Sequence, residues 1–373
     1  MKTLRGKSTG HFKPIIGIAS AGRPFYDRAN YIYVGAKQGI ETLGYAGIVI
    51  SGERGGVFQP DGVTNVNDID IINNGDILRI TEDGRAAIVW DINSSQNAFL
   101  LTESCNCKCL MCPQPPKRHD PNLLVDAENI LTLLKGKKIE CICITGGEPT
   151  LTGDLFFSFL SRCVTEHPES EIDILTNGKT FSHLDFVRKI SSISTANVLF
   201  CVSLHSDIPY IHDKIVDNEG SFEKTENGIY NLAMCGLNIE IRHVVTKLNF
   251  KRLLSFAQHI YNYFPFCNHY AIMGMEFTGF AELNMNNIGI SPHEYKDELT
   301  DTILYLNRRG MPVSIYNIPL CLCDDRVRCF ARSSISSWKN TFLPECKGCS
   351  RKTECAGFFS TSAVLPREHI HPI

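Results

Sequence analysis

The stretch LLTESCNCKCLMCPQPPK, residues 100–117, places Cys105, Cys109 and Cys112 at C-x3-C-x2-C spacing directly after an apolar run. A second motif, GGEP at residues 146–149, follows another apolar run further along the chain. Thiolate is a soft ligand that suits iron–sulfur clusters, and a cubane cluster contains four irons. Three regularly spaced sulfurs would leave one iron open to a small molecule. The spacing therefore predicts a catalytic cluster rather than one that only carries electrons.

Length and charge limit the classes of function. The 373 residues are enough for one large domain with additions, or for two or three smaller domains. The balance of 37 Lys and Arg against 40 Asp and Glu gives a net charge of -3, which argues against nucleic acid as a partner. Residues 1–14 contain no apolar signal-peptide core, and no stretch approaches the apolar length of a membrane span. We expect a cytoplasmic protein that does not associate with membranes.

The 16 cysteines fall mainly into two dense groups, residues 105–112 and 321–355. A disulfide scaffold is not expected, because the chain is far longer than such scaffolds and its cysteines are not evenly paired. The two groups indicate metal binding. The single cysteines between the groups lie partly in apolar runs, where a free thiol behaves as a small apolar side chain.

From about residue 98 to residue 275, short apolar runs alternate with longer amphipathic ones, which is typical of βα units on a parallel sheet. This pattern predicts an α/β protein with a partial (βα)6 barrel of the TIM type, since six units are too few to close eight strands. The predicted strands are Ala98 to Thr102, Glu140 to Thr145, Glu171 to Thr176, Asn197 to Leu204, Asn238 to Val245 and Tyr270 to Met275. The predicted helices are Asp126 to Leu134, Asp154 to Thr165, Phe181 to Ile190, Phe222 to Met234 and Phe250 to Tyr261.

The candidate functional residues follow the predicted strands at one end. The cysteine motif follows the first strand, GGEP the second, Asn177-Gly178 the third and residues 203–206 the fourth, while Arg242 lies late in the fifth. In parallel βα architectures the active site forms at the carboxyl ends of the strands. We therefore expect these residues to meet there.

The flanking segments differ from this central pattern. Residues 1–95 show Gly-rich turns and short strands such as Asp76 to Ile80 and Ala86 to Trp90, which predict a small β-containing domain for docking or packing. Residues 96–290 are expected to form the core. Residues 291–373 should form a cysteine-rich extension in which a helix, Pro292 to Arg308, precedes a strand at residues 313–316.

The cysteine motif after the first strand and the GGEP turn after the second resemble the radical SAM superfamily over roughly residues 97–282. The resemblance implies that a [4Fe-4S] cluster on Cys105, Cys109 and Cys112 binds S-adenosylmethionine and cleaves it reductively to a 5′-deoxyadenosyl radical. Zinc or chance would be the alternative if the three cysteines stood alone. Cys107, between the first two, is expected to be a bystander or to exchange with a neighbour.

The resemblance also implies the residues that contact S-adenosylmethionine. Gly146 and Gly147 would let backbone carbonyls approach its ammonium group, and Glu148 would add a charged hydrogen bond; an ordinary strand-to-helix turn is the alternative. Ser203 and Arg242 match positions that contact the ribose and the carboxylate, with a surface ion pair as the alternative for Arg242. The segment MGMEFTGFA from Met273 lies where the family encloses adenine, and Glu276 is left without an assigned role.

The second cysteine group resembles the SPASM and twitch extensions of radical SAM enzymes, which hold auxiliary [4Fe-4S] clusters. Cys346, Cys349 and Cys355 are spaced C-x2-C-x5-C. Cys321 is the preferred fourth ligand, ahead of Cys323 and Cys329. Because no cysteine follows residue 355, one auxiliary cluster is expected rather than two. A structural zinc held by four of these thiolates is the alternative.

The substrate class is also implied by resemblance. The strings of residues 100–117, 145–151, 273–284 and 334–359 are similar to the His-Xaa-Ser system radical SAM maturases, the HxsC type. This similarity implies modification of a small ribosomally made precursor peptide bearing His-Xaa-Ser repeats. The expected partners are that peptide, a second radical SAM maturase of the same system, and an electron donor such as flavodoxin or ferredoxin. A radical SAM enzyme acting on a small metabolite and a non-catalytic metal scaffold are the alternatives.

Overall fold

The computed structural model describes residues 2–22, 27–36, 42–53, 60–118, 122–193, 195–336, 339–362 and 366–373. Its contacts divide the chain into two compact units. The first comprises Met1–Ala98 with Pro121–Cys141, and the second comprises Phe99–Asp120 with Ile142–Ile373. Residues 337 and 338, which belong to the last of the similar strings, lie outside the described residues.

The first unit is built on an eight-stranded sheet with the strand order β1-β8-β7-β3-β4-β5-β6-β2. Pairs β3–β4, β4–β5 and β5–β6 are parallel, whereas β7 and β8, which lie at the two strands predicted from the sequence, pair antiparallel. The full size of this sheet was not predicted from the sequence. Several of its strands are only two or three residues long, which is too short to show an alternation of apolar and polar residues. The strands are β1 (Thr3–Arg5), β2 (Lys7–Ser8), β3 (Ile15–Ser20), β4 (Tyr31–Gly35), β5 (Gly47–Ile50), β6 (Gly62–Thr64), β7 (Ile77–Thr81) and β8 (Arg85–Trp90).

Helix α1 (Asn122–Leu134) belongs to this first unit. The sequence predicted it as the first crossover of the barrel. In the structure it packs against β3, and Asp126 Oδ2 lies 2.6 Å from Arg79 Nε on β7. The domain boundaries at residues 95 and 290 remain predictions. The compact units differ from them because α1, which lies within the predicted core of residues 96–290, belongs to the first unit.

The second sheet has seven strands in the order β15-β14-β13-β12-β11-β10-β9. The pairs from β11 to β15 are parallel, in register Ile172↔Val198, Leu199↔Asn238, Glu240↔His269 and Tyr270↔Val313 at their starts. This confirms the predicted partial barrel of the α/β class. The strands are β9 (Ala98–Leu100), β10 (Cys141–Thr145), β11 (Glu171–Thr176), β12 (Val198–Ser203), β13 (Asn238–Val244), β14 (His269–Met273) and β15 (Val313–Tyr316).

Helices follow the strands of this sheet. Side chains along each strand alternate between the two faces of the sheet. In β11, Ile172 and Ile174 are fully buried on one face, while Asp173 and Leu175 lie on the other. The helices are α2 (Asp154–Glu166), α3 (Leu184–Ser191), α4 (Pro209–Val216), α5 (Ser221–Met234), α6 (Leu253–Tyr263), α7 (Phe280–Leu283), α8 (Met285–Ile288) and α9 (Lys296–Asn307). Short 3-10 helices are Arg28–Asn30, Ile69–Ile71, Pro149–Thr152, Lys179–Ser182, Phe250–Arg252, Pro292–Tyr295, Leu320–Leu322, Arg328–Phe330 and Pro344–Cys346.

The predicted six strands become seven because β15 joins the sheet beside β14. The chain then continues along the free side of β15, where Ala331 forms a parallel bridge with Ile315. A two-stranded antiparallel pair, β16 (Asn340–Thr341) and β17 (Phe358–Phe359), follows. Within the described residues, no helix is long and apolar enough to cross a membrane.

Candidate active site

The cysteine motif lies in a loop that begins after β9 and is held by backbone hydrogen bonds. Lys108 N and Leu110 N donate to the carbonyl oxygens of Val216 and Ile215, at 3.1 and 2.8 Å, at the end of α4. Phe280 N, at the start of α7, donates to Cys112 O at 2.9 Å. The loop is therefore fixed at the carboxyl ends of the strands by contacts on two sides. This placement agrees with the position expected for an active site.

The four thiols of the loop differ in exposure. Cys105, Cys109 and Cys112 are part-exposed, whereas Cys107 is only 2% exposed. All four are free of disulfide bonds. The three cysteines chosen from spacing are thus the part-exposed ones, and the one passed over is buried.

Hydrogen bonds and burial raise the pKa of three of these thiols, Cys105, Cys107 and Cys112. The bond with Cys107 and burial raise the pKa of Cys105. The bond to Cys105 lowers the pKa of Cys107, but the bond with Cys109 and burial outweigh it and raise that pKa to about 11. Burial raises the pKa of Cys112, and the Cys105 sulfur adds to the effect. A bound cation would reverse these shifts, because a coordinating thiol is deprotonated.

The GGEP turn packs directly on the start of the cysteine loop. Gly147 N donates to Thr102 O at 2.7 Å, and Glu148 N donates to Ser104 O at 2.8 Å. A Cβ atom on Gly147 would lie 2.3 Å from Ser104 O, and one on Gly146 would lie 2.8 Å from Thr102 O. The glycines therefore allow two backbone segments to approach, which is a different use from the ligand contact that the resemblance implied.

Glu148 is fully buried, and its carboxylate is occupied by protein donors. Oε1 accepts hydrogen bonds from Thr150 N, Thr150 Oγ1 and Thr176 Oγ1, and Oε2 accepts one from Asn177 N at 2.7 Å. Burial raises its pKa although all these bonds lower it. The contacts of Glu148 thus differ from the predicted bond to an ammonium group: they join the turn after β10 to the end of β11.

Ser203 and Arg242 lie opposite each other in register on β12 and β13. Arg242 is ion-paired, but not at the surface: its Nε lies 2.5 Å from Oε1 of Glu240, whose side chain is only 5% exposed. Glu240 Oε2 also lies 2.7 Å from Nδ1 of His269. Burial raises the pKa of Glu240, but the bonds to His269 and Arg242 outweigh it and hold that pKa at about 2. This series of polar contacts was not identified from the sequence, although the charged residues Glu240 and Arg242 at alternate positions of β13 indicated it.

Three buried histidines lie at the same strand ends; the sequence placed His205 and His243 there without a role and did not identify His212. Val244 N donates to His205 Nδ1 at 3.3 Å, and His205 N donates to His212 Nδ1 at 3.1 Å. Burial lowers the pKa of His205, His212 and His243 to about 3 each. His205 and His212 thus accept backbone N–H groups, whereas His243 Nδ1 donates to Leu204 O at 3.1 Å, and together these bonds fix the ends of β12 and β13.

The segment that begins at Met273 packs against the cysteine loop. A Cβ on Gly279, which has φ +62°, would lie 2.6 Å from Pro113 O. Glu276, which was left without a role, is ion-paired through Oε2 to Lys339 Nζ at 2.8 Å.

The second cysteine group is brought together after β15. Leu320 N and Gly357 N donate to Cys355 Sγ at 3.3 and 3.4 Å. Burial raises the pKa of Cys321 to about 11, and the sulfurs of Cys355 and Cys346 add to it; burial also raises the pKa of Cys346, with contributions from Cys355 and Cys349. Cys346 and Cys355 therefore lie close enough to Cys321 to raise its pKa, and Cys349 lies close enough to Cys346 to do the same, while the ligand set stays a prediction.

The two cysteines that were ranked lower are placed differently from each other. Cys323 is fully buried, and burial raises its pKa to about 12, with contributions from Cys355 and Cys321. Cys329 is exposed. The choice of Cys321 as fourth ligand stays a prediction, with Cys323 as its nearest competitor.

The residues of the first loop fit an iron–sulfur cluster in donor type and position. Three part-exposed cysteines lie on a loop that is fixed at the strand ends, and Gly147 brings the neighbouring turn into contact with it. Across the described ranges, no group of three or more His, Cys, Asp or Glu side chains is arranged as a metal-ion site. In this conformation Cys112 Sγ donates instead to Gln114 O at 3.0 Å. Cluster binding would require the thiols to rotate toward one another.

Comparison with known proteins finds similarity within the second unit. Residues 99–260 match the family model described as Radical SAM superfamily. A relative from Saccharolobus islandicus (strain M.14.25 / Kamchatka #1), named "Probable GTP 3',8-cyclase", is 24% identical over 263 residues, covering 67% of this chain and 76% of the relative.

Solved structures show similarity at lower identity. Streptococcus suis SuiB bound to S-adenosylmethionine matches with a TM-score of 0.46 and 15% identity, over 58% of this chain and 46% of SuiB. Native anSMEcpe with bound AdoMet and Cp18Cys peptide matches with a TM-score of 0.47 and 17% identity, over 58% of this chain and 62% of that one. The chain thus spans less than half the length of SuiB.

Proposed function

We propose that the protein cleaves S-adenosylmethionine reductively at a [4Fe-4S] cluster held by Cys105, Cys109 and Cys112. The observation that carries this proposal is the joining of the cysteine loop to the GGEP turn through Gly147 and Glu148, at the carboxyl ends of the strands in the segment that matches the Radical SAM family model. When bound, the cluster supplies an electron, and S-adenosylmethionine supplies the radical that abstracts hydrogen.

The chain's own residues would position these groups and exclude water. The cysteine loop offers three sulfurs on a backbone fixed to α4 and α7. Arg242 and Ser203 face the same side of adjacent strands, where a guanidinium can bind a carboxylate through two hydrogen bonds. Glu148 would act indirectly, since its carboxylate holds Asn177 and Thr150 in place rather than contacting a ligand.

The substrate that we propose is a small ribosomally made precursor peptide of the His-Xaa-Ser repeat type. This proposal is supported by the four similar strings and by the second cysteine group, in which Cys321, Cys346, Cys349 and Cys355 would hold an auxiliary [4Fe-4S] cluster. A second radical SAM maturase and a flavodoxin or ferredoxin are the proposed partners. The alternative metal for the auxiliary site is zinc.

A small metabolite is the second candidate substrate class. It is supported by the 24% identical relative named for GTP 3',8-cyclase activity, which covers 67% of this chain. A nucleotide and a peptide make different demands on the site, because a peptide needs room for an extended backbone. The two candidates are therefore separable by direct assay.

The test uses anaerobically reconstituted full-length protein with dithionite and S-adenosylmethionine. We expect release of 5′-deoxyadenosine from the wild type and none from Cys109→Ala, because a cluster ligand is lost. Cys235→Ala is a matched control, since this part-exposed cysteine lies at the end of α5 and belongs to neither group. Absence of 5′-deoxyadenosine from the wild type with an assembled cluster would favour the metal-scaffold alternative.

The same preparation then distinguishes the substrates. Mass spectrometry of a co-expressed His-Xaa-Ser repeat peptide should show a mass change that depends on Cys109. Incubation with GTP in place of the peptide should leave GTP unchanged. A GTP-derived product together with an unmodified peptide would instead establish the small-metabolite candidate.

A further inference from the structure

Lys179 is a buried lysine beside the cysteine loop that the mechanism above does not use. It begins the 3-10 helix Lys179–Ser182 after β11, and it is only 7% exposed. Lysine is rarely buried unless its charge is paired. Among the ion pairs found in the described ranges of the chain, none involves Lys179.

The ammonium group of Lys179 is surrounded by neutral partners. Its Nζ lies 2.7 Å from Asn218 Oδ1, 3.1 Å from Asn106 O and 3.6 Å from Cys107 Sγ. Two of these three partners belong to the cysteine loop. The charge is thus directed at the loop without a carboxylate within ion-pairing distance in the described structure.

Neighbouring donors point the same way. Asn177 Nδ2 donates to Asn106 Oδ1 at 2.7 Å and lies 3.9 and 3.8 Å from the sulfurs of Cys105 and Cys107. Side chains from the end of β11 therefore present a cation and an amide N–H group to the same stretch of the loop. Such an arrangement suits an anion, because a buried cation costs free energy until an opposite charge compensates it.

We propose that Lys179 is a positioning residue that supplies the counter-charge for the anionic iron–sulfur cluster on Cys105, Cys109 and Cys112. The proposal rests on the function proposed above. Lys179 would fix the loop through Asn106 and would favour the reduced cluster, which carries one more negative charge than the oxidised cluster. Net charge and hydrogen bonds around the sulfurs are the established determinants of cluster potential.

A merely structural role for Lys179 is the competing explanation, and two substitutions separate the possibilities. Lys179→Met removes the charge together with its hydrogen bonds. Asn218→Asp retains Lys179 but places a carboxylate where Asn218 Oδ1 now lies 2.7 Å from Nζ, so it neutralises the charge without removing the lysine. Lys179→Arg retains the cation. A charge effect predicts that the first two variants shift in the same direction and that the third does not.

Lys108→Met is the matched control. Lys108 lies in the cysteine loop itself, next to Cys109, but it is exposed, so water and salt screen its charge. The variant removes the same charge from a position close in sequence to the proposed ligands. It is expected to change the reduction equilibrium by less than about twofold.

The measurement is a redox titration of the reconstituted full-length protein, followed by electron paramagnetic resonance of the reduced cluster, with iron and sulfide content per chain. We expect Lys179→Met and Asn218→Asp to lower the reduction equilibrium constant about tenfold, which is about 59 mV for one electron. Lys179→Arg should remain within about twofold of the wild type.

The outcomes are distinct. If the clusters of Lys179→Met and Asn218→Asp have the same reduction potential as those of the wild type and Lys108→Met, the proposal is refuted. If Lys179→Met fails to assemble a cluster, Asn218→Asp decides, because it retains Lys179 and its hydrogen bond to Asn106 O in the loop. A wild type that assembles no cluster would refute the proposed function itself, whereas a wild type that assembles one and variants that do not shift would refute only the role of Lys179.

Discussion

Replacing Gly147 by Ala tests whether the contact between the GGEP turn and the cysteine loop organises the site. The added Cβ would lie 2.3 Å from Ser104 O, 2.6 Å from Ser104 C and 2.8 Å from Glu103 O. All three atoms are backbone, so no side chain can rotate away. The turn and the loop must therefore separate by several tenths of an ångström.

The magnitude follows from the bonds that this separation breaks. Gly147 N to Thr102 O and Glu148 N to Ser104 O are backbone hydrogen bonds of 2.7 and 2.8 Å. At about 1 kcal/mol each, their loss together with local strain should lower the free energy of unfolding by about 2–3 kcal/mol. For a unit of this size that corresponds to a fall in melting temperature of roughly 4–8 °C.

The assay is thermal unfolding of the metal-free variant by circular dichroism, followed by cluster reconstitution. Gly22→Ala is the control, because a Cβ at that position meets nothing within 4 Å and no left-handed φ is required there. Its melting temperature should equal or slightly exceed that of the wild type. A Gly147→Ala protein that melts with the wild type and takes up the same iron would refute this reasoning.

Three further predictions concern the barrel interior and the second cysteine group. Glu240→Gln should flatten the pH dependence of stability between about pH 4.5 and pH 2. The pKa of Glu240 is held at about 2 in the folded protein, so its pairing with Arg242 stabilises the fold above pH 4.5 and this stabilisation is lost as the pH falls toward 2. Urea unfolding across that range measures the effect, and an equal dependence of stability on pH in both proteins would contradict it. Cys355→Ser should reduce the metal bound per chain, since the Cys355 sulfur already accepts two backbone N–H groups. Cys329→Ser should not reduce it, because Cys329 is exposed. Elemental analysis that shows equal metal losses in the two variants would reject the ligand assignment. Cys349→Ala should leave 5′-deoxyadenosine release within about twofold of the wild type but impair peptide modification, so unchanged product in the peptide's mass spectrum would argue against a working auxiliary site.

The sequence predicted the barrel well because its strands are short apolar runs separated by longer amphipathic runs. Glu171–Thr176 was predicted to the residue, and the other five barrel strands were placed within two residues of their ends. The amphipathic runs between them carry the helical period, which distinguishes the two kinds of element. The seventh strand, Val313–Tyr316, was also recognised as a strand, but its four residues gave no sign that it pairs with His269–Met273.

The first unit was harder to predict. Lys7–Ser8 and Gly62–Thr64 are too short for a period, and they are strands only because of their partners in the sheet. Helix Pro209–Val216 was missed as well. Its eight residues are only about two turns, at which length tertiary contacts rather than propensity decide whether a helix forms.

The candidate site shows the same limit. Spacing alone selected the three part-exposed cysteines and passed over buried Cys107, and the ligand set itself stays a prediction. The sequence could not reveal that the Glu148 carboxylate is directed into the protein, nor that Lys179 Nζ contacts the backbone oxygen of Asn106 in the cysteine loop. Such contacts join residues distant in the chain, and a linear pattern carries no record of them.

The join between β15 and the second cysteine group limits where the auxiliary site can be. Cys321 follows Tyr316, the last residue of β15, by only five residues, and an extended chain of that length spans at most about 18 Å. Any metal that Cys321 binds is therefore tethered within that radius of the strand end. An insertion of flexible residues at this tether would lengthen the path for electrons while leaving both sets of sulfur ligands unchanged.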